Sequence, residues 1–138
     1  MTLKHDPPTT ITFFVSGEGM RGGRLNVGLR AARFLGAVKT APTYYFYSVR
    51  DEFPGLYPAP DGKGRSIEGE AYEVDYETLR ATFLPREPHE LELGIIELAD
   101  SQGSLAMLLR SEHLDDADVK EISSHGGWRA YRGLPSPV

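Results

Sequence analysis

The sequence predicts one α+β domain of five or six strands with two or three helices, and three stretches carry that reading. Residues 11–15, Ile-Thr-Phe-Phe-Val, form a β-branched and aromatic run that stops at Gly17, as a buried strand does when it hands the chain to a loop. Residues 44–49, Tyr-Tyr-Phe-Tyr-Ser-Val, have the same character. Residues 91–98 and 105–109 read as the two arms of a hairpin about the turn-rich stretch 99–103.

The remaining elements follow from period and punctuation. After the loop 17–23, Leu25, Leu29, Ala32 and Leu35 recur at helical spacing and Gly36 follows as a stop, which predicts a helix over 25–35. Residues 50–64 carry several prolines and glycines among charges and predict a long surface loop. Residues 66–74 alternate in part as a strand, Asp75 is placed to cap a short helix reaching Phe83, and the acidic start of 115–122 predicts another short helix. Residues 1–10 read as a flexible polar tail and 11–132 as a single domain, the ordinary outcome for 138 residues.

Composition narrows the function. With 15 basic residues scattered among 20 acidic ones, the net charge is −5 and no basic patch offers a phosphate-backbone footprint, so nucleic acid is not expected as a partner. No stretch reaches the roughly 20 apolar residues of a membrane span, and the N-terminus has no apolar signal region, so the expected place is the cytoplasm and no membrane partner is expected. Without cysteine there is no thiol nucleophile, thiolate metal site or disulfide. His5, His89, His113 and His125 lack metal-ligand spacing, so neither a metal nor any other cofactor is expected. Ser16 lacks a nucleophile elbow, and the aromatics Tyr44, Tyr45, Tyr47, Tyr72 and Trp128 are by default core.

Two groups of residues point to chemistry on a small polar molecule. Gly17, Gly19 and Gly22 fall in a Gly-x-Gly-x-x-Gly pattern after a strand, but the acidic ribose ligand expected roughly 20 residues on is missing, and Glu18 sets a negative charge where phosphates would lie. A dinucleotide site is therefore excluded. What remains is a loop of backbone donors, residues 17–22 including Glu18, Met20 and Arg21, suited to a carboxylate or a developing oxyanion; the alternative is a glycine-rich tight turn. Glu87, Glu90 and Glu92 supply a candidate general base, because a carboxylate held against an apolar wall has a raised pKa. For each of them the alternative is a solvated face. Arg21 or Arg129 can clamp a substrate carboxylate with a planar fork, the alternative again being a surface charge.

The order of motifs carries a resemblance. Leu25-Asn26, Thr40-Ala41, Pro54-Gly55-Leu56, Ile67-Glu68-Gly69-Glu70, Gly94-Ile95-Ile96-Glu97-Leu98 and the close Gly126-Gly127-Trp128-Arg129-Ala130-Tyr131 together resemble the γ-glutamylcyclotransferase-like superfamily, and more nearly the C-terminal domain of allophanate hydrolases. The resemblance implies a small, mostly antiparallel β-barrel with flanking helices, whose loop after the first strand walls a substrate cavity. It implies a glutamate acid/base, for which Glu87 is the nearest positional counterpart, although the cyclotransferase Leu-Asp-x-x-Glu-Gly segment reads Leu84-Pro85-Arg86-Glu87-Pro88 here. The cyclotransferase Tyr-Gly-small-Leu loop reads Ser16-Gly17-Glu18-Gly19, and Gly19 takes the place of the histidine of the allophanate hydrolase domain. The expectation is cyclotransferase-type chemistry on an amide or urea-like metabolite. A non-catalytic domain that binds a metabolite is the alternative, with an amidase partner or a homo-oligomer left open.

Overall fold

A computed structural model describes residues 10–135. The first strand, β1 (Thr10–Val15), begins exposed and ends with Phe13, Phe14 and Val15 all buried, because apolar layers cover both of its faces. Thr10 thus belongs to the sheet; the rest of the expected tail lies outside the described residues.

The stretch expected as a helix from Leu25 is instead one 3-10 turn, Asn26–Leu29, followed by a strand, β2 (Arg33–Lys39). The helical spacing of Leu25, Leu29 and Ala32 is a property of the turn packing on the core, and Leu35, which would extend the stripe, is 43 % exposed. Gly36 does not stop a helix. It sits at φ 131° where the pairing register slips between Phe34 and Gly36, as in a β-bulge.

Strand β3 (Tyr44–Val49) is where its aromatics place it, but the expected loop 50–64 contains a core strand, β4 (Phe53–Pro58). Its prolines and glycine read as loop punctuation, yet Leu56 and Phe53 are buried, and a Cβ on Gly55 would come within 3.0 Å of Leu109 and Leu91. Arg50 and Asp51 turn the hairpin at φ 54° and 57°, a conformation usually left to glycine or asparagine. Ser48 and Tyr131 hydroxyls on Asp51, and Glu90 on Arg50, hold that turn.

Strand β5 (Glu68–Asp75) ends at Asp75, whose side chain accepts from the Thr78 N–H at 2.6 Å and starts α1 (Tyr76–Thr78). The helix widens into a π turn, Leu79–Phe83, then a 3-10 turn, Leu84–Arg86. Asp75→Ala is expected to lower the melting temperature slightly at neutral pH. The cap's N–H bond holds the Asp75 carboxyl below its ordinary range, so the loss should shrink in acid, where Asp75 is protonated in the wild type; melts at both pH values check this. The hairpin β6 (Leu91–Glu97) and β7 (Gly103–Leu109) pairs in full register. Residues 115–122 are not a helix: the acidic stretch is a turn, and β8 (Val119–Glu121) pairs with β3 so that Ile122 is buried. The chain closes with α2 (Trp128–Arg132).

The strands lie in the order β2-β5-β1-β7-β4-β3-β8, with β6 on the far side of β7. Five of the seven pairings are antiparallel; β1 and β4 run parallel to β7. The implied barrel is a curled sheet that does not close as a continuous ladder, since among the described residues β2 and β6 meet at one bridge past their ends, Thr40 with Leu98. One feature of this topology makes the site. β1 pairs with β7 at Leu105 and Ala106, β4 takes over the same edge at Leu108, and the two strands part there.

Candidate functional site

Where β1 leaves β7, the loop after it crosses the start of β4. A Cβ on Gly17 would lie 2.3 Å from Pro54 Cδ, so the approach demands glycine. Gly17→Ala is expected to push the loop off Pro54 and cost about 1–3 kcal/mol, read in a denaturant melt. The loop is knit to itself: Met20 N–H donates to Gly17 O at 3.0 Å, Leu25 N–H to Glu18 O at 2.9 Å and Asn26 Nδ2 to Gly19 O at 2.8 Å. Among the described residues, nothing accepts from the N–H groups of Gly17, Glu18 and Gly19. Three successive free donors in a glycine loop are the elements of an anion site.

These residues line a cavity of about 60 Å³, walled on the apolar side by Phe83, Leu91 and Met107. At ~10–15 Å³ per water on this measure, it admits about four waters, or the reacting carboxamide or ureido group of a larger molecule. Glu87 lines the same cavity, as do Arg24 and Arg86. Local sequence puts it there: the 3-10 turn ends as Glu87 N–H donates to Leu84 O, and Pro88 behind it favours the extended backbone, φ −75° and ψ 143°, that Glu87 adopts. Its half-buried carboxyl has no hydrogen-bond or ion-pair partner among the described residues, and burial pushes its pKa up to about 7.

The other candidate acids lie elsewhere. Glu90 is buried beneath the β3–β4 turn with Arg50 Nη1 at 2.7 Å. Burial raises its pKa, but the Arg50 bond and charge outweigh this and hold it below the ordinary carboxylate range. Glu92 is on the surface and pairs with Arg110 at 3.1 Å. Neither lines the cavity of Glu87. Glu18 lines it, but its carboxylate accepts from Arg24 Nε at 3.3 Å and Trp128 Nε1 at 3.3 Å, so it serves as an anchor for the loop.

The loop faces two ways. Residues 17–19 line the Glu87 cavity; Met20 and Arg21 line a second cleft together with Arg129; Gly22 is exposed and lines neither. Arg21 and Arg129 converge on Glu70, which is fully buried. Arg21 gives it N–H at 2.8 Å and Nε at 2.9 Å, and Arg129 gives Nη2 at 3.1 Å. Burial raises the Glu70 pKa, and these three donors with their charges more than reverse it, so it stays ionised below the ordinary range. Sequence reasoning passed over Glu70. The signal was there in the two arginines of the loop and the tail motif, which needed a buried acid to meet.

The tail motif is a clasp. Gly126 takes φ 76° to end the turn before it, Trp128 is buried with its Nε1 on Glu18, Arg129 also donates to Arg21 O at 2.9 Å, and the Tyr131 hydroxyl donates to Asp51. Trp128, Arg129 and Tyr131 therefore tie the glycine loop, β5 and the β3–β4 turn together. Among the described residues no group of three His, Asp or Glu side chains is placed to hold a metal, and no helix is long and apolar enough to cross a membrane.

The curled, mostly antiparallel sheet with short flanking helices is the α+β fold seen in γ-glutamylcyclotransferase-like structures. Residues 11–133 match the allophanate hydrolase C-terminal domain, and the chain belongs to that family. The crystal structure of c4763, a uropathogenic E. coli-specific protein, superposes with a TM-score of 0.85 at 29% identity, covering 94% of this chain and all of that one. The K. lactis urea amidolyase matches at 0.83 and 25% identity over 89% of this chain, which corresponds to 8% of that enzyme's chain. A mouse aig2-like protein shares the fold, with a TM-score of 0.61, 22% identity and coverage of 95% and 97%. No curated protein matches the chain in sequence.

Proposed function

We propose that the chain is a small enzyme of γ-glutamylcyclotransferase type, acting in cytoplasmic nitrogen metabolism on an amide or urea-like metabolite without a cofactor. The observation that supports this reading is the Glu87 carboxyl, unpaired among the described residues and with its pKa near 7, lining one cavity with residues 17–19, whose N–H groups have no acceptor among the described residues. In this mechanism the substrate's own amine attacks its amide carbonyl. Glu87 takes the proton lost by the amine, the loop N–H groups hold the negative oxygen of the tetrahedral intermediate, and Glu87 returns the proton to the departing nitrogen. A pKa near neutrality suits a group that must both accept and give a proton.

A second reading, a non-catalytic metabolite-binding domain docked to an amidase, is favoured by one observation: the chain corresponds to 21% of the K. lactis allophanate hydrolase, where it is one part of a larger protein. Thermal-shift titrations with γ-glutamyl amines, 5-oxoproline, biuret and allophanate, followed by turnover assays on each binder, separate the two. Turnover that depends on Glu87 supports the enzyme; binding without turnover supports the docked domain. Absence of any shift contradicts both.

A further inference from the structure

The second cleft lies behind the glycine loop, between the β2–β5 edge, residue 99 and α2. Its volume of about 550 Å³ falls in the range of sites that enclose a small molecule. Arg21, Lys39 and Arg129 line it with Glu68, and Glu70 lies against the two arginines. Three cations thus meet two carboxylates, an excess of one positive charge on a chain whose net charge is −5. Glu70 leaves that charge available: Arg21 remains 37% exposed and Arg129 21%, while the Lys39–Glu68 pair is loose at 3.9 Å. The remaining wall is largely apolar, from Met20, Val38, Ala99, Trp128, Ala130 and Leu134.

We propose that this cleft is a second binding site, separate from the Glu87 cavity, for a monoanionic small molecule that sets a carboxylate against Arg21 and Arg129 and an apolar body along α2. The charge excess selects one carboxylate over a neutral group, and the fixed guanidinium planes favour a planar oxyanion. Glu70 keeps both arginines in place before the ligand arrives, so little ordering is needed on binding. The inference is independent of the chemistry assigned to Glu87, since the two cavities share the loop but no lining residue.

The test is amide NMR of the whole chain titrated with hexanoate and, separately, with hexanamide, which has the same body without the charge. Saturable shifts at Lys39, Gly127 and Arg129 with hexanoate, at least about tenfold weaker with hexanamide, are expected. Ala130→Trp fills the cleft from an exposed position on α2 and should abolish the response; Ala99→Trp does the same from another wall, so a folding defect in one variant leaves the other decisive. Equal responses to acid and amide, no saturable response, or shifts confined to residues 17–19 and 87 would overturn the proposal.

Discussion

Glu87→Gln is expected to lower turnover about 10²–10⁴-fold, the usual loss when a general acid/base is removed, with the Michaelis constant little changed. Glutamine keeps the size of the side chain and loses only the proton it exchanges, so the cavity and loop should keep their geometry. The same substitution has a stability signature of the opposite sign. Burial raises the folded-state pKa of Glu87 from 4.5 to about 7. Between those values the folded chain holds a proton that the unfolded chain has released, so stability falls as pH rises from about 4.5 through about 7 and is flat above. Glu87→Gln should remove that slope and leave the variant more stable than wild type above pH 7, by about 1–3 kcal/mol. A variant slower in catalysis yet more stable distinguishes a functional carboxylate from a structural one. Urea melts between pH 4 and pH 8, with wild type and variant side by side, read the effect.

Glu70→Ala is expected to destabilise the fold by about 1–3 kcal/mol, because it removes the buried acceptor of the Arg21 N–H, the Arg21 Nε and the Arg129 Nη2. The loop 17–23 should loosen with it, since Arg21 is its hinge to β5. Here the pH dependence runs the other way. The folded-state pKa of Glu70 is lowered, so its support is present above the unfolded pKa of 4.5 and is lost as pH falls through the folded value. The difference between wild type and Glu70→Gln should therefore shrink in acid. Circular dichroism melts at pH 7 and pH 3 make the comparison.

The strands with an unbroken β-branched or aromatic run, β1 and β3, were legible because their burial needs no partner to explain it. The β6–β7 hairpin was legible for its turn. β2 and β4 were not. Leu25, Leu29 and Ala32 lie at helical spacing by the accident of a 3-10 turn packed on the core, and the pairing of β2 with β5 outweighs local preference. Pro54, Gly55 and Pro58 mark a loop on any local rule; in the fold, Pro54 meets Gly17 and Gly55 lets β7 approach. The same long-range contacts decide the site. Composition and spacing alone do not separate Glu87, Glu90 and Glu92, and only the motif order favours Glu87; in the fold, Arg50 claims the second, Arg110 the third, and among the described residues nothing claims the first. Glu70 stayed hidden because a charged residue on an alternating strand reads as solvent-facing until two distant arginines are brought to it.

The most direct test of the central claim is a carbon-detected NMR titration of the glutamate side-chain carboxyls, with the Glu87 resonance assigned by its absence in Glu87→Gln. A midpoint near 7, moving when a substrate amide is added, is the result this account predicts. A midpoint in the ordinary range near 4.5 would mean that water reaches the carboxyl freely, and Glu87 could then not be the group that exchanges protons in the cavity.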